Sequence, residues 1–261
     1  TKTYSFALTY KIDCTADQLA AINGVLTSEA DNFEAVITPS FNTTHLKALC
    51  NNIGSSSTNY NPSSTGAGEH LYLVDTGINT THDEFSGATV NNLYTAFESD
   101  YTDTAGHGTV MAGLIVGANI GTAKNATLHN VKAMNANPYT GTIGAMVDAL
   151  EAILVHHNAN TPAQTKVVVC CWTTGKNALL DMKFSELEDN NLIVVCSAGN
   201  NANDVDFYSP AGLDAVTTVG GHNAAGLVGY FSGGTTSGSN LGPEVDVFGM
   251  SDDVSIIDFS T

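Results

Sequence analysis

The stretch Leu71-Tyr72-Leu73-Val74-Asp75-Thr76-Gly77 decides the fold of this chain. Its apolar half has the length and continuity of a strand that is buried on both faces, and Thr-Gly is typical of the turn that follows. Further runs of strand length lie at 127–134, 166–172, 192–197, 215–219 and 245–248. Because near-continuous apolar strands need cover on both faces, the pattern predicts a parallel sheet.

Helical patterns separate these strands. Candidate helices span 107–117, 142–157 and 177–189. In the second of them, apolar residues recur at helical spacing: Ile143, Met146, Val147, Leu150, Ile153 and Leu154. Strands that alternate with helices predict an α/β fold with helices on both faces of the sheet. In such a fold the active site gathers at the carboxyl ends of the strands.

Length and charge limit the classes of function. A chain of 261 residues suits one large α/β domain, or one domain plus a small appendage. With 8 Lys and Arg against 26 Asp and Glu, the net charge is −18, which argues against nucleic acid and anionic membranes as partners, since both need basic surface. No apolar run approaches the roughly 20 residues of a membrane span. Sequons at Asn42, Asn79 and Asn125 favour secretion.

Residues 1–53 differ in pattern from the rest of the chain. They predict a small α+β unit in which strands at 4–10 and 33–37 flank a helix that begins near Thr15, followed by a short helix at 44–53. Residues 54–68 are rich in Ser, Asn, Gly and Thr and predict a linker.

The five cysteines divide into two groups. Cys14 and Cys50 both lie in the N-terminal segment and could form a disulfide. Cys170, Cys171 and Cys196 lie in apolar strand runs and predict buried thiols.

Three polar residues mark the edge of the predicted sheet where an active site is expected. Asp75 ends a strand, His107 opens a helix, and Asn200 follows the strand at 192–197. Singly, each residue is ordinary in a turn, a helix start or a loop. Together they offer three parts of an acyl-transfer site, namely a group that orients a base, the base, and a donor for the oxyanion.

These segments resemble the subtilisin family of serine proteases, and most of all its proteinase K branch. The resemblance covers about residues 54–259 and rests on Val74-Asp75-Thr76-Gly77-Ile78, Gly106-His107-Gly108-Thr109, Ser197-Ala198-Gly199-Asn200-Asn201, Tyr208-Ser209-Pro210-Ala211 and Val245-Asp246-Val247-Phe248-Gly249. It implies a secreted serine endopeptidase acting on peptides or proteins. Asp75 and His107 would be triad members and Asn200 the oxyanion donor. Residues 1–53 resemble the family's inhibitory propeptide, which leaves 54–261 as the peptidase domain.

The sequence departs from the family at the nucleophile. In the family a Gly-Thr-Ser-apolar-Ala motif follows the stretch that residues 245–259 resemble, and the 261 residues do not contain it. The nearest match, Gly234-Thr235-Thr236-Ser237, precedes that stretch and continues into Gly-Ser-Asn, so we reject it as the nucleophile. We therefore expect a peptidase domain truncated before the Ser helix and inactive by itself, with a complementing chain or neighbouring subunit covering the sheet. The alternative is a catalytically dead domain used as an extracellular structural or binding subunit.

A second departure lies in the substrate cleft. Trp172, Thr173, Thr174 and Gly175 stand where the family has Ser-Leu-Gly-Gly, a segment that hydrogen-bonds substrate backbone. Trp is far bulkier than Ser, and β-branched Thr cannot adopt the conformations of glycine. Two interpretations follow, altered specificity or a cleft that does not admit peptide. In either case we expect the indole to project toward the groove.

The resemblance also implies a calcium site. Its ligands would be the carboxylate of Asp246 and the backbone carbonyls of Asp214 and Val216, since Ca²⁺ takes oxygen ligands. The alternative is that Asp246 is an ordinary surface residue.

Overall fold

The computed structural model describes residues 44–49, 60, 62, 64–135, 141–160, 166–223, 226–228, 238–251 and 254–259. The strands are β1 (His70–Asp75), β2 (Thr89–Thr95), β3 (Thr127–Lys132), β4 (Lys166–Cys170), β5 (Thr174–Gly175), β6 (Ile193–Ser197), β7 (Tyr208–Ser209), β8 (Thr217–His222) and β9 (Val247–Met250). The α-helices are α1 (Thr44–Leu49), α2 (His107–Val116), α3 (Ile143–Ala159) and α4 (Ala178–Asp189). Single 3₁₀ turns span Asp83–Phe85 and Val205–Phe207.

A seven-stranded sheet forms the centre of the fold, in the order β2-β3-β1-β4-β6-β8-β9. All neighbouring strands in it are parallel, so the predicted parallel α/β sheet is confirmed. β5 and β7 form a separate antiparallel pair. The sequence pattern missed β2, because this edge strand reads Thr-Val-Asn-Asn-Leu-Tyr-Thr and is half-exposed, without a continuous apolar run.

Apolar packing covers both faces of the sheet. Tyr72 and Val74 of β1 face α3 and α4, where they join a cluster with Leu150 and Phe184. Leu73 points to the opposite face and packs with residues of α2 and with Ile257. Because side chains alternate along β1, the strand contributes to two apolar cores, one on each side of the sheet. Helices pack on both sides, so the prediction of helices on both faces is confirmed.

The helix boundaries follow ordinary capping chemistry. The Thr142 side chain accepts a hydrogen bond from the Ala145 amide and starts α3. Asn177 accepts from the amides of Leu179 and Leu180 and starts α4. Both residues therefore satisfy amides that have no partner within the helix. None of the helices in the described ranges is long and apolar enough to span a membrane.

Helix α1 packs against the main body of the fold. Leu46 is fully buried, and the His45 ring contacts the Ile120 carbonyl through Nε2 (3.2 Å) and the Ser255 amide through Nδ1 (3.3 Å). This helix lies at the end of the segment predicted to be propeptide-like. The strands and helix predicted before it, together with Cys14 and Cys50, lie outside the described residues.

Candidate active site

Asp75 and His107 form a close hydrogen-bonded pair. Asp75 ends β1 and His107 begins α2, and their Oδ1 and Nδ1 atoms are 2.7 Å apart. Because a carboxylate only accepts, Nδ1 carries the proton, and a neutral imidazole then has its lone pair on Nε2. The Thr76 amide donates to the same Oδ1 at 2.7 Å. The carboxylate of Asp75 is buried, with a side-chain exposure of 1%.

The surroundings of His107 favour its protonated form. The hydrogen bond with Asp75 raises the pKa of His107, partial burial opposes this, and the charges of Asp75 and Asp103 raise it further. The imidazole is thus prepared to accept a proton and to be stabilised as the cation, which a general base requires.

A glycine lets the two elements meet. A Cβ at Gly108 would lie 2.1 Å from the carbonyl oxygen of Gly77 and 3.2 Å from Oδ1 of Asp75. Any side chain at this position would therefore push the first turn of α2 away from the end of β1 and lengthen the contact between Asp75 and His107.

Asp103 connects the residue after Asp75 to the first turn of the helix that begins with His107. The sequence alone did not point to this residue. Its Oδ1 accepts from the Thr76 hydroxyl and from the amides of Ala105 and Gly106, and its Oδ2 accepts from the amide and hydroxyl of Thr109. One buried carboxylate thereby fixes the residue after Asp75 and the first turn of α2. The N-cap of α2 is Gly106, three residues later, so Asp103 does not stand at the position where a capping signal is read from the sequence.

Asn200 lies in a loop held by a second residue that was not predicted, Asn240. The fully buried Asn240 side chain accepts from the amides of Asn201 and Asn203 and donates to the Ala198 carbonyl. Gly199 has φ of +101°, and a Cβ there would lie 2.6 Å from Nδ2 of Asn240. Glycine is therefore required at this position, and Asn200 itself remains exposed at the mouth of the loop.

A single cavity of about 480 Å³ brings the predicted residues together. Its wall contains His107, Asn200, Trp172, Thr173 and Thr174. Apolar side chains from α3 and α4, Ile143, Met146 and Leu180, also line it. Gly175, the remaining predicted cleft residue, pairs with Tyr208 in the β5–β7 ladder.

Cys171 also lines this cavity but is not a substitute nucleophile. Burial raises the pKa of its thiol to about 12, so the reactive thiolate is scarce at neutral pH. The rejected candidate, Gly234-Thr235-Thr236-Ser237, lies outside the described residues.

Residues 66–258 match the model of the subtilase family. The chain belongs to the subtilase family. It is 30% identical over 191 residues to subtilisin-like proteinase Mp1 of Magnaporthiopsis poae, covering 72% of this chain and 46% of the relative. It is 33% identical over 191 residues to the extracellular serine proteinase of Thermus sp. strain Rt41A, covering 72% and 43%. This subtilase domain thus spans less than half the length of these curated relatives.

A solved structure extends the likeness to three dimensions. The match with a cold-adapted subtilisin-like serine proteinase covers 85% of this chain and 77% of that protein's chain, with a TM-score of 0.73 and 27% identity. The fold predicted from the sequence, a subtilisin-like α/β sheet, is thereby confirmed.

Trp172 is anchored on the wall of the cleft. Its indole Nε1 donates to the Val74 carbonyl at 2.9 Å, and its ring packs against Phe184 with centroids 6.1 Å apart. The side chain is therefore fixed by Val74 and Phe184 while it forms part of the lining of the cavity.

The predicted calcium ligands lie near the start of β8 and β9. Oδ2 of Asp246 accepts from the Thr218 amide at 2.8 Å, and the Asp246 amide donates to the Thr218 carbonyl at 3.0 Å. Asp214 and Val216 lie in the turn before β8. An exposed carboxylate and two backbone carbonyls are an oxygen-only donor set, which fits Ca²⁺ chemically.

Proposed function

We propose that this domain supplies the base and the oxyanion donor of a serine endopeptidase that hydrolyses peptides or proteins. The observation that supports it most is the 2.7 Å contact between Asp75 and His107, with Asn200 on the wall of the same cavity. The serine would come from a Gly-Thr-Ser-apolar-Ala segment, which these 261 residues do not contain.

The chemistry divides among the three residues. His107 takes the serine proton on Nε2 as the hydroxyl oxygen bonds to the scissile carbonyl carbon. The carboxylate of Asp75 holds the tautomer and stabilises the imidazolium, and the Asn200 amide donates to the carbonyl oxygen as it becomes negative. The C–N bond then breaks as His107 returns the proton to the leaving amine, and water hydrolyses the acyl-enzyme by the same steps.

The test compares two polypeptides with a fluorophosphonate probe and a peptide ester. The 261-residue chain alone should be neither labelled nor active, because it lacks the serine hydroxyl that His107 would deprotonate. The same chain extended by a family segment that carries the Ser motif should be labelled on that serine. His107→Gln should abolish the labelling and His222→Gln, at the end of β8, should preserve it. Labelling of a serine within residues 1–261, or an unlabelled but folded extended chain, would refute the proposal.

We also infer that the domain is extracellular. The Thermus relative is named as extracellular. Asn125 begins a sequon and is exposed. The one contact described for its side chain is a hydrogen bond to the Thr65 hydroxyl. An oligosaccharide transferase could therefore reach it. Expression through a eukaryotic secretory pathway should give a glycosidase-sensitive mass that Asn125→Gln lowers. Retention of the unglycosylated chain inside the cell would contradict this.

A calcium ion held by Asp246 with the carbonyls of Asp214 and Val216 is a further proposal. It would tie the turn before β8 to the start of β9 and stabilise the fold by binding only its folded form. Added Ca²⁺ should raise the Tm over that in chelator, and Asp246→Asn should remove the difference while Asp189→Asn, an exposed control, should not. An unchanged Tm in Ca²⁺ would disprove the site.

We infer, finally, that a complementing chain or neighbouring subunit covers apolar surface near the C-terminal segment. Ile256 and Phe259 there are 60% and 41% exposed, although Ile257 between them is buried against α2. Native mass spectrometry should find a particle heavier than one 27.1 kDa chain. A stable, well-folded monomer of that mass would contradict this inference.

A further inference from the structure

The end of β1 has a strand neighbour on one side only. Pairing with β3 continues to Asp75 opposite Lys132, whereas pairing with β4 stops at Leu73 opposite Val169. Val74 is fully buried, so its carbonyl needs a donor from the protein. The indole Nε1 of Trp172 is that donor, at 2.9 Å.

This hydrogen bond acts on Asp75 through the backbone. The Val74 carbonyl and the Asp75 amide belong to one planar peptide group, so a donor on the carbonyl fixes the orientation of that plane. On the other side of Asp75, its own carbonyl accepts from the amides of Ala133 (3.0 Å) and Met134 (3.2 Å). Both peptide groups that flank the Cα of Asp75 are therefore held, and the direction of its side chain follows from them.

Trp172 is itself held in place. Its ring packs against Phe184 of α4 at an interplanar angle of 53°, and the indole also forms part of the wall of the cavity that contains His107. One side chain thus connects the cleft wall, the core and the backbone of Asp75.

We propose that Trp172 is a positioning residue, whose indole N–H holds Asp75 in the orientation in which Oδ1 accepts the hydrogen bond from Nδ1 of His107. The inference rests on the proposed role of Asp75 and His107 as orienting group and base. Without the donor, the buried Val74 carbonyl would lack a partner, and the peptide group could turn toward another one. That turn would carry Asp75 away from His107 and weaken their hydrogen bond.

The experiment exploits the fact that Trp172 is the only tryptophan of the chain. Replacing tryptophan with 3-benzothienylalanine keeps the fused ring and exchanges the N–H for sulfur, so that only the donor is lost. Replacing it with 5-fluorotryptophan keeps the donor and serves as the matched control. Trp172→Phe is a third variant that needs no special incorporation. The readout is the pKa of the His107 ring, titrated by NMR and assigned by the signal that His107→Gln removes.

We expect a lower His107 pKa, and a weaker low-field signal from the Nδ1 proton, in the benzothienyl protein and in Trp172→Phe. The fluorotryptophan protein should match the unmodified one. Equal pKa values in the benzothienyl and fluorotryptophan proteins, both folded by circular dichroism, would overturn the inference alone. An ordinary pKa in the unmodified protein that Asp75→Asn does not change would overturn the proposed function and this inference together.

Discussion

The carboxylate of Asp103 accepts a hydrogen bond from the Thr76 hydroxyl at 2.9 Å and thereby joins the loop before α2 to the residue after Asp75. The same carboxylate receives the Thr109 amide and hydroxyl, and the Thr76 hydroxyl oxygen accepts the Gly108 amide at 2.9 Å. The turn after β1 and the first turn of α2 are therefore one hydrogen-bonded unit. The distance between Asp75 and His107 depends on this unit as well as on their own contact.

Asp103→Asn should weaken this unit and lower the stability of the domain. An amide nitrogen cannot accept, so the donors on one side of the former carboxylate lose their partner. Buried donors left unsatisfied cost about 1–3 kcal/mol each, and we expect a loss of about 2–4 kcal/mol in the free energy of unfolding in urea. The pKa of His107 should also fall, since the negative charge of Asp103 helps to raise it. Asp189→Asn, at the exposed end of α4, is the control, and equal stability of the two variants would argue against this role.

Asn240→Ala should loosen the loop that carries Asn200. The substitution removes the acceptor of the Asn201 and Asn203 amides and the donor to the Ala198 carbonyl. We expect a loss of about 2–3 kcal/mol in the free energy of unfolding and faster amide exchange at Asn201 and Asn203.

Hydrogen exchange with mass spectrometry would localise the effect of this substitution. Asn91→Ala, on the exposed edge strand β2, is the control and should leave exchange in residues 198–203 unchanged. If Asn240→Ala also leaves it unchanged, the loop does not depend on Asn240.

Acid should destabilise the domain through His129. Its side chain is buried, with His70, Tyr72 and His156 around it, and burial lowers its pKa from 6.5 to about 4. As pH falls, His129 binds a proton in the unfolded chain before it does so in the folded protein. The free energy of unfolding is therefore unaffected by His129 above pH 6.5 and decreases between about pH 6.5 and 4. The difference in pKa corresponds to about 3 kcal/mol.

Unfolding in urea at pH 7 and at pH 4.5 measures this loss. His129→Gln should flatten the pH dependence of the free energy of unfolding in this range, whereas Asn91→Ala, on the exposed edge strand β2, should leave it as it is. The opposite sign is expected of His107, whose raised pKa favours the folded state below pH 6.5 and ceases to do so as pH rises through the folded value. A pH dependence that His129→Gln does not alter would show that other groups cause the acid sensitivity.

Local patterns in the sequence predicted six of the seven strands of the sheet, all but β2, and singled out Asp75, His107 and Asn200 as candidate site residues. Asp75 ends a strand, His107 opens a helix and Asn200 follows β6, and parallel strands bring their carboxyl ends together. Asp103 and Asn240 escaped prediction because their role depends on partners that only the fold brings near. The contact between Trp172 and Val74 spans 98 positions and has no local signal either. Strand β9 begins two residues later than predicted, since Asp246 binds the backbone of Thr218 just before the ladder starts.

The most direct test of the central claim is an NMR titration of His107 in the domain and in Asp75→Asn, with Asp100→Asn as a surface control. If Asp75 orients the ring and stabilises its protonated form, the pKa of His107 should lie above the ordinary histidine value. Asp75→Asn should then lower this pKa, and Asp100→Asn should leave it unchanged. The same substitution should remove the low-field signal of the Nδ1 proton. An ordinary pKa of His107 that is identical in all three proteins would contradict the account, because the two residues would then not act as the orienting group and the base.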